Sequence, residues 1–99
     1  KDRAAVSVIV PVRDGATVLP QLLDALAAQE GELKIQVIIV DNGSTDETAV
    51  IAASHPLGVT MVSEPQAGSY RARNRGVAVA TAPVLAFTDA DCVKIVVKQ

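Results

Sequence analysis

Ile35-Gln36-Val37-Ile38-Ile39-Val40-Asp41-Asn42-Gly43-Ser44-Thr45-Asp46-Glu47 is the stretch that decides the fold class. A strand with one wet face alternates apolar and polar residues. The run from Ile35 to Val40 is nearly all apolar and β-branched, so it reads as a strand buried on both sides. From Asp41 the composition switches to turn formers. Ser44 and Glu47 have the spacing of a capping box, which predicts a helix starting there and running to about Ser54. A buried strand, a short polar loop and a helix form the repeating unit of a parallel α/β sheet.

Upstream the same unit recurs. Val6 to Val12 is a β-branched run that ends at Pro11 and the polar Arg13-Asp14-Gly15. From about Val18 to Gln29, Leu19, Leu22, Leu23 and Leu26 recur at i, i+3, i+4, i+7, the spacing of a helix with one buried face. Thr17 is placed to cap it, Pro20 falls in its first turn, and Gly31 can close it. Downstream, His55-Pro56-Leu57-Gly58 reads as a loop with a solvent-exposed histidine, and Val59 to Ser63 as a third strand. Glu64 to Gly68 is another loop. Ser69 to about Ala80 is a helix, basic on one side and lined by Ala72, Val77 and Ala80 on another. Pro83 breaks it, and Val84 to Thr88 is a fourth strand. The tail Val93 to Gln99 is β-prone, either a final strand or an unpaired edge. The expected architecture is α/β: a mostly parallel sheet of about four strands flanked by three helices.

At 99 residues the chain is long enough for one domain. Its apolar content is 49%, yet Tyr70 and Phe87 are its only aromatic residues, so aliphatic side chains must build the core. A net charge of −2 gives no reason to expect nucleic acid or an anionic membrane as a general partner. Cys92 is the only cysteine, which rules out an internal disulfide. The N-terminal apolar run, broken by Pro11, is too short for a signal core, no stretch is long enough to span a bilayer, and the expected location is the cytosol.

In open parallel sheets, ligands bind where the strands' carboxyl ends meet loops and helix starts. Three polar clusters fall at such ends: Arg13-Asp14, Asp41 to Asp46, and Asp89-Ala90-Asp91. Two carboxylates at i and i+2 just past a strand can converge on one hard cation such as Mg²⁺ or Mn²⁺. An isolated Asp-x-Asp carries little information, so its context decides.

That context is an ordered series. Val8-Ile9-Val10-Pro11-Val12-Arg13-Asp14 is followed by Val40-Asp41-Asn42-Gly43-Ser44-Thr45-Asp46, then by Gly68-Ser69-Tyr70-Arg71-Ala72-Arg73-Asn74-Arg75-Gly76, then by Phe87-Thr88-Asp89-Ala90-Asp91. The series spans residues 6 to 92 and resembles family 2 glycosyltransferases of the GT-A fold, in particular their N-terminal, nucleotide-sugar-binding half. The resemblance implies transfer of a sugar from a nucleoside diphosphate donor, with UDP-sugar expected, to an acceptor hydroxyl. It implies inversion at the anomeric carbon and a divalent metal, Mn²⁺ or Mg²⁺.

It also implies roles for residues. Pro11, Val12, Arg13 and Asp14 match the loop that packs on base and ribose, and Asp41 the carboxylate that accepts from the base. Asn42, Ser44 and Asp46 shape that loop or serve as turn and cap residues. Gly68 would let the backbone pass close to the nucleotide. Arg73 would pair with phosphate or orient Asp41. Asp89 matches a position near ribose and metal, and Asp91 a direct metal ligand. Arg71 and Arg75 are expected to be solvated helix residues.

Residues 1–99 are therefore expected to be the donor-binding portion of a GT-A domain, without the acceptor-binding half, the catalytic base or the later metal ligand. No catalytic residue is assigned in them, and the isolated chain is expected not to transfer sugar. The stretch after Asp91 departs from the family in lacking the usual Pro- and aromatic-containing segment. The alternative is a non-catalytic half-domain that self-associates through a sheet edge at Ile95-Val96-Val97. A nucleotidylyltransferase would carry a Gly-rich basic loop after the first strand, and a dehydrogenase a Gly-x-Gly-x-x-Gly; neither follows Val12.

Overall fold

The computed structural model describes residues 4–29, 34–66, 68–88 and 96–98. β1 (Val6–Val12), β2 (Ile35–Asp41), β3 (Thr60–Ser63) and β4 (Val84–Phe87) pair in parallel. β5 (Val96–Lys98) adds antiparallel to β4, so the β-prone tail supplies a final strand, and the order is β3-β2-β1-β4-β5. The helices are α1 (Leu19–Gln29), α2 (Thr48–Ser54) and α3 (Ser69–Val79). The expected α/β architecture of parallel strands and three helices is the one observed.

β1 and β2 are mostly apolar because both their faces are covered, and alternate residues serve different cores. Val8, Val10, Val12, Val37 and Ile39 pack with Leu19, Leu22, Leu23 and Leu26 of α1 and Ala52 of α2. Ile9, Ile38 and Val40 pack with Ala72 of α3 on the opposite face. All four predicted leucines of α1 are buried, each contributing about 1.5–3 kcal/mol. The chain winds β1, β2, β3 to one side, then returns through α3 to place β4 on β1's other flank. Such a reversal opens a crevice at the carboxyl ends of β1 and β4.

Four expectations need correction. Val77 is 41% exposed; the sheet-facing row of α3 is Ala72 and Gly76, with Ala80 partly buried. A β-carbon at Gly76 would collide with Ile9 Cγ2 and lie 3.3 Å from both Ile9 Cγ1 and Val40 Cγ2. α3 sits so close to the sheet that only small residues fit beneath it. The capping box does not form either: α2 starts at Thr48, and Ser44 Oγ accepts from the distant Asp14 N–H. Thr17 does not start α1; the Gly15 carbonyl accepts from Val18 and Leu19 N–H at 3.1 and 2.8 Å. His55 is not solvent-exposed, its side chain retaining 12% exposure. Its Nδ1 accepts from Leu57 N–H at 3.0 Å, which leaves Nε2 as the donor to Asp24 Oδ1 at 2.7 Å. The histidine thus ties the end of α2 to α1. Gly31, the expected close of α1, lies outside the described residues.

At the amino end of the sheet, Ser7 Oγ donates to Gln36 Oε1 at 2.6 Å and accepts from Ala82 N–H at 3.1 Å. Gln36 Oε1 also accepts from Thr81 N–H at 3.0 Å. This clasp pins the α3–β4 connection beneath β1 and β2.

Candidate functional site

At the carboxyl edge, hydrogen bonds continue past the strands and hold their ends in register. Asn42 N–H donates to the Val12 carbonyl at 2.8 Å, Glu64 N–H to Asp41 at 2.9 Å, and Thr88 N–H to Ile9 at 3.2 Å. The Arg13-Asp14 and Asp41–Asp46 clusters are thereby brought together, as the sequence led one to expect.

The two loops interlock. Asp14 adopts φ 51°, in the left-handed region. The successive N–H groups of Asp14, Gly15 and Ala16 donate to Ser44 Oγ at 2.8 Å, Thr48 Oγ1 at 2.9 Å and Asp46 Oδ2 at 3.2 Å. In return Asp14 Oδ1 accepts from Thr45 N–H at 2.7 Å. Consecutive backbone donors of this kind form an anion-binding nest in many nucleotide sites. Here the protein's own oxygens fill it, so the β1 loop is not a phosphate cradle. That removes the physical basis for a dehydrogenase-type site.

Each predicted residue can now be placed. Pro11 and Val12 are buried, and Val12 belongs to the core against α1; its contribution to the edge is a carbonyl rather than a side chain. Arg13 and Asp14 are exposed, as are Arg71 and Arg75, whereas Asp41 and Arg73 are half-buried. Asp41 Oδ1 accepts from Ser44 N–H at 3.0 Å, which fixes the carboxylate beside the end of β2. Gly68 takes φ 121°, a conformation that favours glycine, and its carbonyl accepts from Arg71 and Ala72 N–H to start α3. Asp89 follows the buried Thr88 directly, and Asp89, Asp91 and Cys92 lie outside the described residues.

Asn42 and Thr48 carry more of the site than sequence reasoning assigned them. Both are buried, and both bond to segments distant in sequence. The one hint in the sequence is that each stands at an element boundary amid turn formers.

The Thr48 hydroxyl, with the backbone N–H groups of Thr48 and Ala16, holds the Asp46 carboxyl below the usual carboxylate range. A carboxyl lowered on folding adds stability above its unfolded value, about 3.9, and loses it as the pH falls toward the folded value. Asp46→Asn is therefore expected to be less stable than wild type at pH 7, with the difference closing below about pH 4. Urea unfolding at several pH values measures it, and a gap that persists undiminished in acid would contradict the assignment.

Comparison with known proteins agrees with this geometry. The sequence profile described as glycosyl transferase family 2 matches residues 7–94. Glycosyltransferase AglE of Haloferax volcanii is 38% identical over 92 residues, covering 88% of this chain and 30% of AglE. S. aureus TarS 1–349 in complex with UDP superposes with a TM-score of 0.78 at 28% identity, over 87% of this chain and 27% of that one. Mannosyltransferase PcManGT from Pyrobaculum calidifontis, in complex with GDP-Man and Mn²⁺, gives a TM-score of 0.78 at 35% identity, over 90% and 28%. The chain thus spans about 30% of the length of each of these three proteins. Its sheet and helices are those of GT-A glycosyltransferases. With the family profile matched along residues 7–94, the chain belongs to glycosyl transferase family 2.

Proposed function

We propose that residues 1–99 are the donor-binding portion of an inverting glycosyltransferase and bind a nucleoside diphosphate sugar at the carboxyl edge of the sheet. The observation that carries this reading is the interlock of the β1 and β2 loops. It holds Asp41 at the end of β2 beside the crevice between β1 and β4. Support comes from the UDP complex of TarS and the GDP-Man and Mn²⁺ complex of PcManGT.

Asp41 accepts a ring N–H of the base, uracil being the preferred reading, and Arg13 and Asp14 border base and ribose. Gly68, without a side chain, admits the nucleotide close to the backbone, and Arg73 serves the diphosphate or Asp41. Asp89 and Asp91 supply carboxylate oxygens, the donors that a hard divalent cation takes. Bound there, Mn²⁺ or Mg²⁺ would neutralise charge on the departing diphosphate. The activating base for the acceptor hydroxyl is assigned to no residue of this chain, and the role proposed for the 99 residues is donor binding. We place them in the cytosol, with which a lone cysteine is compatible; among the described residues no helix is long and apolar enough to cross a membrane.

Titration of UDP, GDP and dTDP with and without Mn²⁺ tests the site. The expected result is metal-dependent binding that weakens at least tenfold, about 1.4 kcal/mol, in Asp91→Ala. Equal, metal-independent binding by both proteins would sink the reading, and sugar transfer by the isolated chain would overturn its assignment as a donor-binding portion only. The self-association alternative keeps one supporting observation: β5 is an edge strand of the sheet, as β3 is at the other side.

A further inference from the structure

Asn42 is 7% exposed and stands one residue beyond β2, beside Asp41. A side-chain amide offers two donors on nitrogen and one acceptor oxygen. Here Nδ2 donates to the carbonyls of Glu64 and Gln66 at 2.6 and 2.7 Å, while Oδ1 accepts from Gly68 N–H at 3.2 Å. The orientation of the amide is settled by its partners, since a flip would set oxygen against two carbonyls and NH₂ against an N–H. One buried side chain therefore satisfies three backbone groups of the β3–α3 connection. Its own N–H is bonded to Val12. Asn42 thus joins the ends of β1 and β2 to the start of α3.

We infer that Asn42 is the positioning residue of the nucleotide site, setting the separation between Asp41 and Gly68 before any ligand arrives. The inference rests on the donor-site reading above, in which the nucleotide contacts both residues. Its chemistry is restrictive. Aspartate has the same shape, but when ionised it only accepts, and it would face two carbonyl oxygens. Deleting the amide would leave the Gly68 N–H and two carbonyls to water, and the connection would be free to move away from Asp41.

The experiment compares wild type with Asn42→Asp, titrating UDP and, in parallel, GDP in the presence of Mn²⁺ from pH 7.5 down to pH 5. Wild type is expected to bind, and Asn42→Asp to bind at least tenfold more weakly at pH 7.5. That deficit is expected to shrink toward pH 5 as protonation returns one donor to the site. Urea unfolding of the variant over the same pH range separates the two causes, because a variant that stays fully folded under the titration conditions while its affinity falls has lost positioning rather than fold. Amide hydrogen exchange on wild type alone gives a readout that does not need the variant to fold: Gly68 N–H is expected to be protected without nucleotide. Free exchange of that amide, or equal UDP and GDP affinities of the two proteins at pH 7.5, would overturn the inference. If wild type bound neither nucleotide, the donor-site reading itself would fail and take this inference with it, a result distinct from equal affinities.

Discussion

Gly76→Val is expected to cost about 3 kcal/mol and to abolish a sharp unfolding transition in the 99-residue chain. Overpacking a filled interior costs about 1–3 kcal/mol. A β-carbon at this position already collides with Ile9, a residue with no exposed surface at the centre of β1. Two further methyl groups find no space between α3 and the sheet. Gly76→Ala sets the lower bound, because alanine recovers up to about 1 kcal/mol of helix propensity against the collision. Small domains have stabilities of about 5 kcal/mol and up, so the valine variant removes most of the margin. A double-mutant cycle identifies the cause: in an Ile9→Ala background Gly76→Ala is expected to cost less, the coupling that contacting residues show. Urea midpoints that are unchanged for Gly76→Ala and Gly76→Val would show that α3 does not press on β1 as described.

Thr48→Val carries the second large effect, about 2–3 kcal/mol, by a different mechanism. Valine keeps the shape of threonine, so packing is preserved and only the hydroxyl is lost. That hydroxyl accepts from the buried Gly15 N–H at 2.9 Å and donates to the Asp46 carboxylate. An orphaned buried N–H costs about 1–3 kcal/mol, while Asp46 is exposed and regains water, so the Gly15 side dominates. The midpoint of urea unfolding is expected to fall by about 1 M with little change in slope. Nucleotide binding is expected to weaken with it, since Gly15 joins β1 to α1 at the candidate site. Thr45→Val, at an exposed position of the same loop, is expected to stay within about 0.5 kcal/mol of wild type. A Thr48→Val protein as stable as wild type would mean that the loops are held by other bonds.

Much of this could be read from the chain because the relevant signals are local. Leu19, Leu22, Leu23 and Leu26 repeat with the period of a helix, and the run from Ile35 to Val40 has no polar face to present to water. Those facts suit covered parallel strands, and the ordered clusters at the strand ends pointed to the edge proposed to carry the site. Val77 misleads because hydrophobicity alone does not mark the buried face of α3. On α3 the decisive quantity was the distance to the sheet, which favours glycine over valine. Ser44 and Glu47 misled because a local capping signal competed with a longer-range partner, and Asp14 N–H won.

What the sequence by itself determined about this protein was therefore its set of elements, its class and its family, since periodicity and ordered motifs are properties of neighbouring residues. Tertiary structure alone decided the strand order β3-β2-β1-β4-β5, the small-residue row at Ala72 and Gly76, and the partners of Asn42 and Thr48. Asn42 reaches Glu64, Gln66 and Gly68, and Thr48 reaches Gly15, across separations of 22 to 33 residues. A buried polar group must find a partner wherever the fold brings one, and no local pattern encodes where that is.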